Sequence, residues 1–113
     1  MADQRTQFVS NADEIQILTT TNTGDSGWVD ISQYRAWSVF VSGLETGAVV
    51  TVELMNKLTA PLAGDKGTSS TLTVDANANA SFESNAKPYH WLRLKKVQGG
   101  TPTASIAIMF GAR

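Results

Sequence analysis

The chain has 113 residues, of which 42% are hydrophobic and 17% charged, enough for one domain with a buried core. Its net charge of −1 argues against general nucleic-acid binding, which needs a clustered positive excess. The absence of cysteine excludes disulfides, thiolate metal sites and cysteine nucleophiles. No apolar run reaches the length of a signal peptide or a membrane span, so we expect no membrane partner and folding in a cytoplasm.

The first residues differ from the rest of the chain. Residues 1–13, MADQRTQFVSNAD, show neither strand alternation nor a helical apolar stripe. We therefore predict an N-terminal arm over 1–13, followed by a single domain over 14–113.

From residue 14 onward the apolar residues alternate with period two, which indicates β-strands. The predicted strands are EIQILTT, AWSVFVS, VVTVELM, STLTVD, ASFES, WLRLKK and TASIAIMF. The alternation directs these side chains inward: Trp37, Val39, Val41, Val50, Val52, Leu54, Leu72, Val74, Leu92 and Leu94. It also places Ile15 and Ile17 on one face of the first strand, and Ala104, Ile106, Ile108 and Phe110 on one face of the last. Gly-, Asn-, Asp- and Ser-rich connectors separate the strands. The fold class expected is all-β: an antiparallel β-sandwich or jelly roll of about 7–8 strands.

The segment AKPYHWLRLKK, residues 86–96, contains the single histidine of the chain. As a strand it places Trp91 and Arg93 outward with Tyr89 in the same row, and His90 on the inner side where the strand begins. A lone histidine has no second base or thiol, and the ten acidic residues are scattered. We therefore expect no catalytic, cofactor or metal site and no enzyme, although calcium held by loop carboxylates stays open.

The exposed aromatic residues have two interpretations. Tyr89, Trp91 and Arg93 form either an interface anchor or a platform on which a sugar stacks. We expect Trp37 in the core, and Trp28 as a cap on one end of the sandwich.

Two segments carry apolar residues where the alternation does not direct them into the core, and we expect both to contact a partner. One is the arm, and the other is the stretch 54–62, which follows the VVTVELM strand. The predicted contact residues are Arg5, Gln7, Phe8, Val9, Met55, Leu58 and Leu62.

Two longer segments resemble small bacteriophage virion domains. The first, SGWVDISQYRAWSVFVSGLETGAVVTVEL, follows the pattern G-W-x-D-[IV]-S-x-[YF], an alternating strand, S-G and V-T-V-E. The second, YHWLRLKKVQGGTPTASIAIMFGAR, resembles the closing strand pair of those domains. The residues that carry the resemblance are Trp28, Asp30, Ser32, Tyr34, Gly43, Glu53, Leu92, Arg93 and Gly99. Between the two segments the sequence ELMNKLTAPLAGDKG departs from the common pattern, which marks the 54–67 stretch as this chain's own.

The resemblance implies a function as well as a fold. Such domains include capsid decoration (cement) proteins, head fibres and modules of tail appendages. For this chain it implies a homotrimer that binds the major capsid protein on the outside of a phage head and stabilises it. The location implied is the capsid surface of the virion, after synthesis in the host cytoplasm. The alternative is a carbohydrate- or receptor-binding module of a tail or head appendage.

Overall fold

The computed structural model describes residues 12–83 and 89–113. Within these ranges the chain forms strands and connecting turns, and no helix is long and apolar enough to cross a membrane. The strands are β1 (Ala12–Thr20), β2 (Gly24–Asp25), β3 (Val29–Asp30), β4 (Ala36–Ser42), β5 (Val49–Met55), β6 (Thr68–Leu72), β7 (Ala80–Glu83), β8 (Trp91–Val97) and β9 (Ser105–Ala112).

The strands form two antiparallel sheets. The four-stranded sheet has the order β1-β9-β4-β7, and the five-stranded sheet has the order β2-β8-β5-β6 with β3 also paired to β8. Because β2 and β3 both pair with β8, they act as one interrupted edge strand. Successive strands cross repeatedly from one sheet to the other, which is jelly-roll topology with eight strands. The predicted β-sandwich is confirmed.

The core lies between the sheets and follows the predicted alternation on the central strands. In β4, β5 and β8 every second residue is buried. Trp37 is only 6% exposed and its ring stacks on Phe82 with the centroids 5.7 Å apart, which confirms it as a core residue. The buried apolar side chains from both sheets form one cluster, as a two-layer fold requires.

In the four-stranded sheet β1 departs from the simple alternation, whereas β9 keeps it with most of its large apolar residues on the outward side. Ile15 lies opposite the buried Met109, but a bulge shifts the β1–β9 register between Gln16 and Leu18, so the strict alternation does not continue past Ile17. Instead Ile17 and Leu18 both pack against the core, while Ile15 is 37% exposed. In β9 the buried positions include Ala107 and Met109, so the aligned Ile106, Ile108 and Phe110 face outward.

One end of the sandwich, which we call the closed end, holds a buried ion pair. It comprises the turns at 21–23, 43–48 and 98–104. Lys96, on the inner side of β8, lies 2.7 Å from the Glu45 carboxylate, and both side chains are almost fully buried. The Lys96 ammonium also donates to the Ser105 hydroxyl on the opposite sheet, at 2.9 Å. These bonds tie the two sheets together.

The carboxylate of this pair is well satisfied. Besides Lys96, Glu45 accepts a hydrogen bond from the Gly99 amide at 2.7 Å. The Lys96 bond, followed by the Gly99 bond, lowers the pKa of Glu45 from 4.5 to about 2. Lys96 donates further to the carbonyls of Thr21 and Thr103. A buried lysine is tolerated here because each of its protons has an acceptor.

The opposite end, which we call the loop end, carries the connection β5–β6 and the start of β1. The short segment 31–35 links its two sides, since the Ile31 amide bonds the His90 carbonyl and the Arg35 amide bonds the Ala112 carbonyl. The strand β1 begins at Ala12, two residues before the predicted domain boundary. Residues 1–11, which make up most of the predicted arm, lie outside the described residues.

Candidate interaction surface

The β5–β6 loop, residues 56–67, is fastened to the outer face of the five-stranded sheet by two tryptophans. The Trp91 indole N–H donates to the Lys57 carbonyl at 2.9 Å. The Trp28 indole N–H donates to the Leu62 carbonyl at 3.1 Å. Trp28 therefore lies beneath this loop instead of capping an end of the sandwich as predicted.

Arg93 fastens the second half of the same loop. Its guanidinium binds the Glu53 carboxylate at 2.7 Å, with both side chains only 14% exposed. It also donates to the carbonyls of Ala63 at 2.7 Å and Asp65 at 2.9 Å, and lies 4.3 Å from the centre of the Trp28 ring. Arginine suits this position because its planar fork can bond a carboxylate and loop carbonyls at once while stacking on an aromatic ring.

Within the loop, Asp65 closes a turn. Its carboxylate accepts from the Lys57 ammonium and from the Leu62 amide, both at 2.8 Å. The Lys57 bond and then the Leu62 bond lower the pKa of Asp65 below its ordinary value. The Gly67 amide then donates to Glu53 at 2.6 Å, where the loop enters β6. Side chains thus hold the loop backbone on both sides of residues 58–61, at Lys57 and from Leu62 to Gly67.

The side chains that this loop exposes are apolar. Leu58 is 97% exposed and Leu62 is 70% exposed, the highest values among the large hydrophobic residues that the structure describes. Met55 precedes the loop on the outer side of β5, opposite Trp91, and is half-buried. Three predicted contact residues therefore lie on or directly beside this loop. The loop has an unusual combination of a fastened backbone and solvent-exposed leucines.

The root of the N-terminal arm lies at the same end of the sandwich as this loop. Asp13 accepts from the Tyr34 hydroxyl and pairs with Arg113, both at 2.6 Å. These two bonds, Tyr34 first, lower the pKa of Asp13. The predicted contact residues Arg5, Gln7, Phe8 and Val9 are outside the described residues, but the chain that leads to them emerges at the loop end.

The predicted aromatic row of Tyr89, Trp91 and Arg93 is not one platform. Tyr89 is half-buried and packs against the core, and Arg93 stacks on Trp28. Trp91 stacks on His90, with ring centroids 4.7 Å apart and planes within 7°. The prediction extended the strand period back to residue 89, but the strand begins at Trp91, so positions 89 and 90 point the other way.

His90 is accordingly not on the inner side. Its imidazole is about one-third exposed and lies 3.6 Å from the Asp30 carboxylate, while its backbone amide bonds the Asn56 side chain at 2.9 Å. It borders an open depression of about 360 Å³ together with Asn56, Lys57 and Leu58. Over the described ranges 12–83 and 89–113, no three histidine or acidic side chains lie where they could hold a metal ion. The expectation that the chain is not an enzyme stays a prediction.

Residues that carry the family resemblance make local structural contacts. The Asp30 carboxylate accepts from the amide and hydroxyl of Ser32, which closes a turn and lowers the pKa of Asp30. Gly43 has φ of 76°, and a β-carbon there would collide with the Ala104 carbonyl, so only glycine fits. The residue types at Asp30, Ser32 and Gly43 are therefore explained by the turns that they form in this fold.

Sequence comparisons are negative: no protein-family model matches the chain, and no curated protein sequence is significantly similar. The fold is known, however. A structure of the SPBc2 prophage-derived protein YomS superposes with a TM-score of 0.56 and 12% identity, over 88% of this chain and 93% of that one. A structure of Bacillus endospore appendages, which form a family of disulfide-linked pili, gives a TM-score of 0.49 at 12% identity, over 89% of this chain and 85% of that one. The chain thus shares its β-sandwich fold with a prophage-derived protein.

Proposed function

We propose that the protein is a structural component of a bacteriophage virion: a capsid decoration protein that binds the outside of the phage head and stabilises it. The observation that carries this proposal is the β5–β6 loop, which presents Leu58 and Leu62 on a fastened backbone. A loop ordered before binding loses little conformational entropy when it docks. The fold shared with a prophage-derived protein and the resemblance to virion domains support the same assignment.

The partner of this loop is the major capsid protein. Two protruding leucines can fill apolar pockets at a junction between capsid subunits, and the arm leaves the domain at the same end to add a second contact. We propose that the protein acts as a homotrimer, as in the virion domains that it resembles. A trimer would present three loops, and each docked loop would raise the effective concentration of the others.

The direct test is co-sedimentation with purified heads of the phage whose genome encodes the chain. We expect the double variant Leu58→Ser and Leu62→Ser to bind at least about tenfold more weakly, since each buried leucine contributes about 1.5–3 kcal/mol. The matched control is Val49→Ser with Val97→Ser, a cross-strand pair of exposed apolar residues at the closed end, 44% and 42% exposed. Equal binding by both double variants would overturn the role of the loop.

Deletion of residues 1–10 tests the arm separately. We expect the truncated protein to be retained less well on heads while its β-sandwich remains folded, as measured by circular dichroism. Undiminished retention would remove the arm from the contact surface and leave the loop as the docking element.

The alternative, a carbohydrate-binding module, is tested by titrating host-surface glycans and following tryptophan fluorescence. The structure gives this alternative less support, because Trp91 stacks on His90, Trp28 stacks on Arg93, and both indole N–H groups bond the loop. A saturable change with a glycan, together with no binding to heads, would favour the appendage module over the decoration protein.

A further inference from the structure

The outer face of the four-stranded sheet carries an apolar stripe. Phe40 and Phe110 are each 41% exposed, Ile106 is 39% exposed, and Ile108 is half-buried. All four point away from the core, because their strand neighbours Val39, Val41, Ala107 and Met109 are the buried residues. We call these four residues the outer stripe.

The strand register makes the outer stripe continuous. Phe40 on β4 lies directly opposite Ile108 on β9, and Ile106 and Phe110 are the next residues on the same face of β9. Successive residues on one face of a strand are about 7 Å apart, which is within reach of aromatic and long side chains. The stripe is therefore a single patch and not a set of isolated exposed residues.

The face around the stripe carries little charge. In the outward register of the four strands two positions are charged: Glu14 on β1, opposite Phe110, and Glu83 on the edge strand β7, opposite Ser38. The others are small or uncharged, such as Gln16, Ser38 and Ser42. By contrast, the outer face of the five-stranded sheet carries Glu53, Arg93 and Lys95. The four-stranded faces of neighbouring copies can therefore approach one another with little like-charge repulsion.

The size of the face also fits association between copies. Strands of 9, 8, 7 and 4 residues, about 4.8 Å apart and rising about 3.4 Å per residue, give a face of roughly 450 Å² in plan, and its accessible area is larger because side chains project from it. This is comparable to the roughly 600–800 Å² that each partner contributes to a stable interface. Interfaces between identical subunits are also the more apolar class.

We propose that copies of this chain associate through the outer stripe, with the four-stranded faces packed against one another around a symmetry axis. The number of copies, three, is taken from the proposed function, whereas the position of the interface is argued from this face alone. The loop end, with Leu58 and Leu62, then stays accessible to the capsid because it lies outside the associating face.

The first experiment measures the molar mass of the purified full chain by size-exclusion chromatography with light scattering. We expect the wild type to have three times the mass of one chain, and the double variant Phe40→Thr with Phe110→Thr to fall to a single chain. Threonine keeps the β propensity of both sites. The matched control is Val49→Thr with Val97→Thr, which should keep the wild-type mass. A monomeric wild type, or a stripe variant with unchanged mass, overturns the proposal.

A second experiment avoids disruptive substitutions by using the cysteine-free sequence. In Ile106→Cys the single thiol lies within the stripe, and in Leu58→Cys it lies on the loop. We expect maleimide labelling at position 106 to be at least about tenfold slower in concentrated protein than after dilution, and labelling at position 58 to be the same in both. An unchanged rate at position 106 contradicts the proposal. Neither experiment uses capsids, so failure of capsid binding would be a separate result.

Discussion

The two ends of the sandwich place polar and apolar side chains in opposite ways. At the closed end a lysine and a glutamate are buried and bonded on all sides. At the loop end two leucines are exposed on a loop whose backbone is bonded at Lys57 and from Leu62 to Gly67. Each end breaks the usual distribution of residues, but only at the closed end do the unusual residues satisfy each other.

This difference separates stability from binding. The Lys96–Glu45 pair joins the two sheets, so its loss must weaken the whole fold. Leu58 and Leu62 contact little of their own chain, so their replacement should change stability by less than about 0.5 kcal/mol. If the comparison is correct, variants of the closed end change stability with little change in binding, and variants of the loop leucines do the reverse.

Lys96→Met should have the largest effect. It leaves the Glu45 carboxylate buried without its cation, and breaking a buried pair in this way destabilises proteins by about 3–5 kcal/mol. The measurement is urea unfolding, and the matched control is Lys95→Met, an exposed neighbour on the outer face of β8. A loss no greater than that of the control would show that the closed end does not hold the sheets together.

Acid should weaken the same pair. The pKa of Glu45 is depressed from 4.5 to about 2, so its contribution to the free energy of unfolding is complete above about pH 4.5 and is lost as the pH falls toward 2. We expect stability to decrease over that window, as measured by thermal unfolding at a series of pH values. Glu45→Gln should show a smaller decrease, and an identical decrease in the variant would contradict the assignment to Glu45.

Arg93→Lys tests the fastening of the loop at an intermediate magnitude. Lysine cannot bond Glu53 and the loop carbonyls simultaneously, nor stack on Trp28 in the same way, so we expect a loss of about 1–3 kcal/mol. We also expect weaker binding to heads, because the loop would no longer be held in place before docking. Normal binding with reduced stability would show that the loop does not need to be ordered in advance.

Trp91→Phe should have a smaller effect on the fold than Arg93→Lys. It removes the indole bond to the Lys57 carbonyl and keeps an aromatic ring, which corresponds to about 0.5–1.5 kcal/mol. Hydrogen exchange should become faster in residues 56–67 and stay the same in β4 and β9. Acceleration across the whole domain would mean that the loop and the core unfold together.

Local patterns predicted the strands but not every face. The alternation located β4, β5 and β8 because their inward positions are apolar, apart from Lys96, while their outward positions mix polar and apolar residues. In β9 both sides are apolar, so period alone could not tell that Ala107 and Met109 face the core while Phe110 faces out. The bulge in β1 inserts one residue and leaves no mark in composition.

The candidate site was predicted in part. Leu58 and Leu62 stood out because they are apolar and lie beyond the strand pattern. The bonds that fasten their loop join residues about 30 or more positions apart, such as Trp28 with Leu62, and no local pattern records them. Lys96 occupies the inward position after Leu92 and Leu94, but a lysine is rarely buried unless it is paired, and its acceptors in Glu45 and Ser105 lie outside any local pattern.

The interrupted edge strand of the five-stranded sheet, β2 with β3, protects the protein against aggregation at high concentration. Between β2 and β3 the Ser26 hydroxyl accepts from the Leu94 amide, and Gly27 turns the backbone with φ of 69°. Each of the two strands at this edge, β2 and β3, is therefore only two residues long, which is too short for a strand of another molecule to pair with it. Strand pairing along this edge therefore cannot join many copies of the protein into fibres.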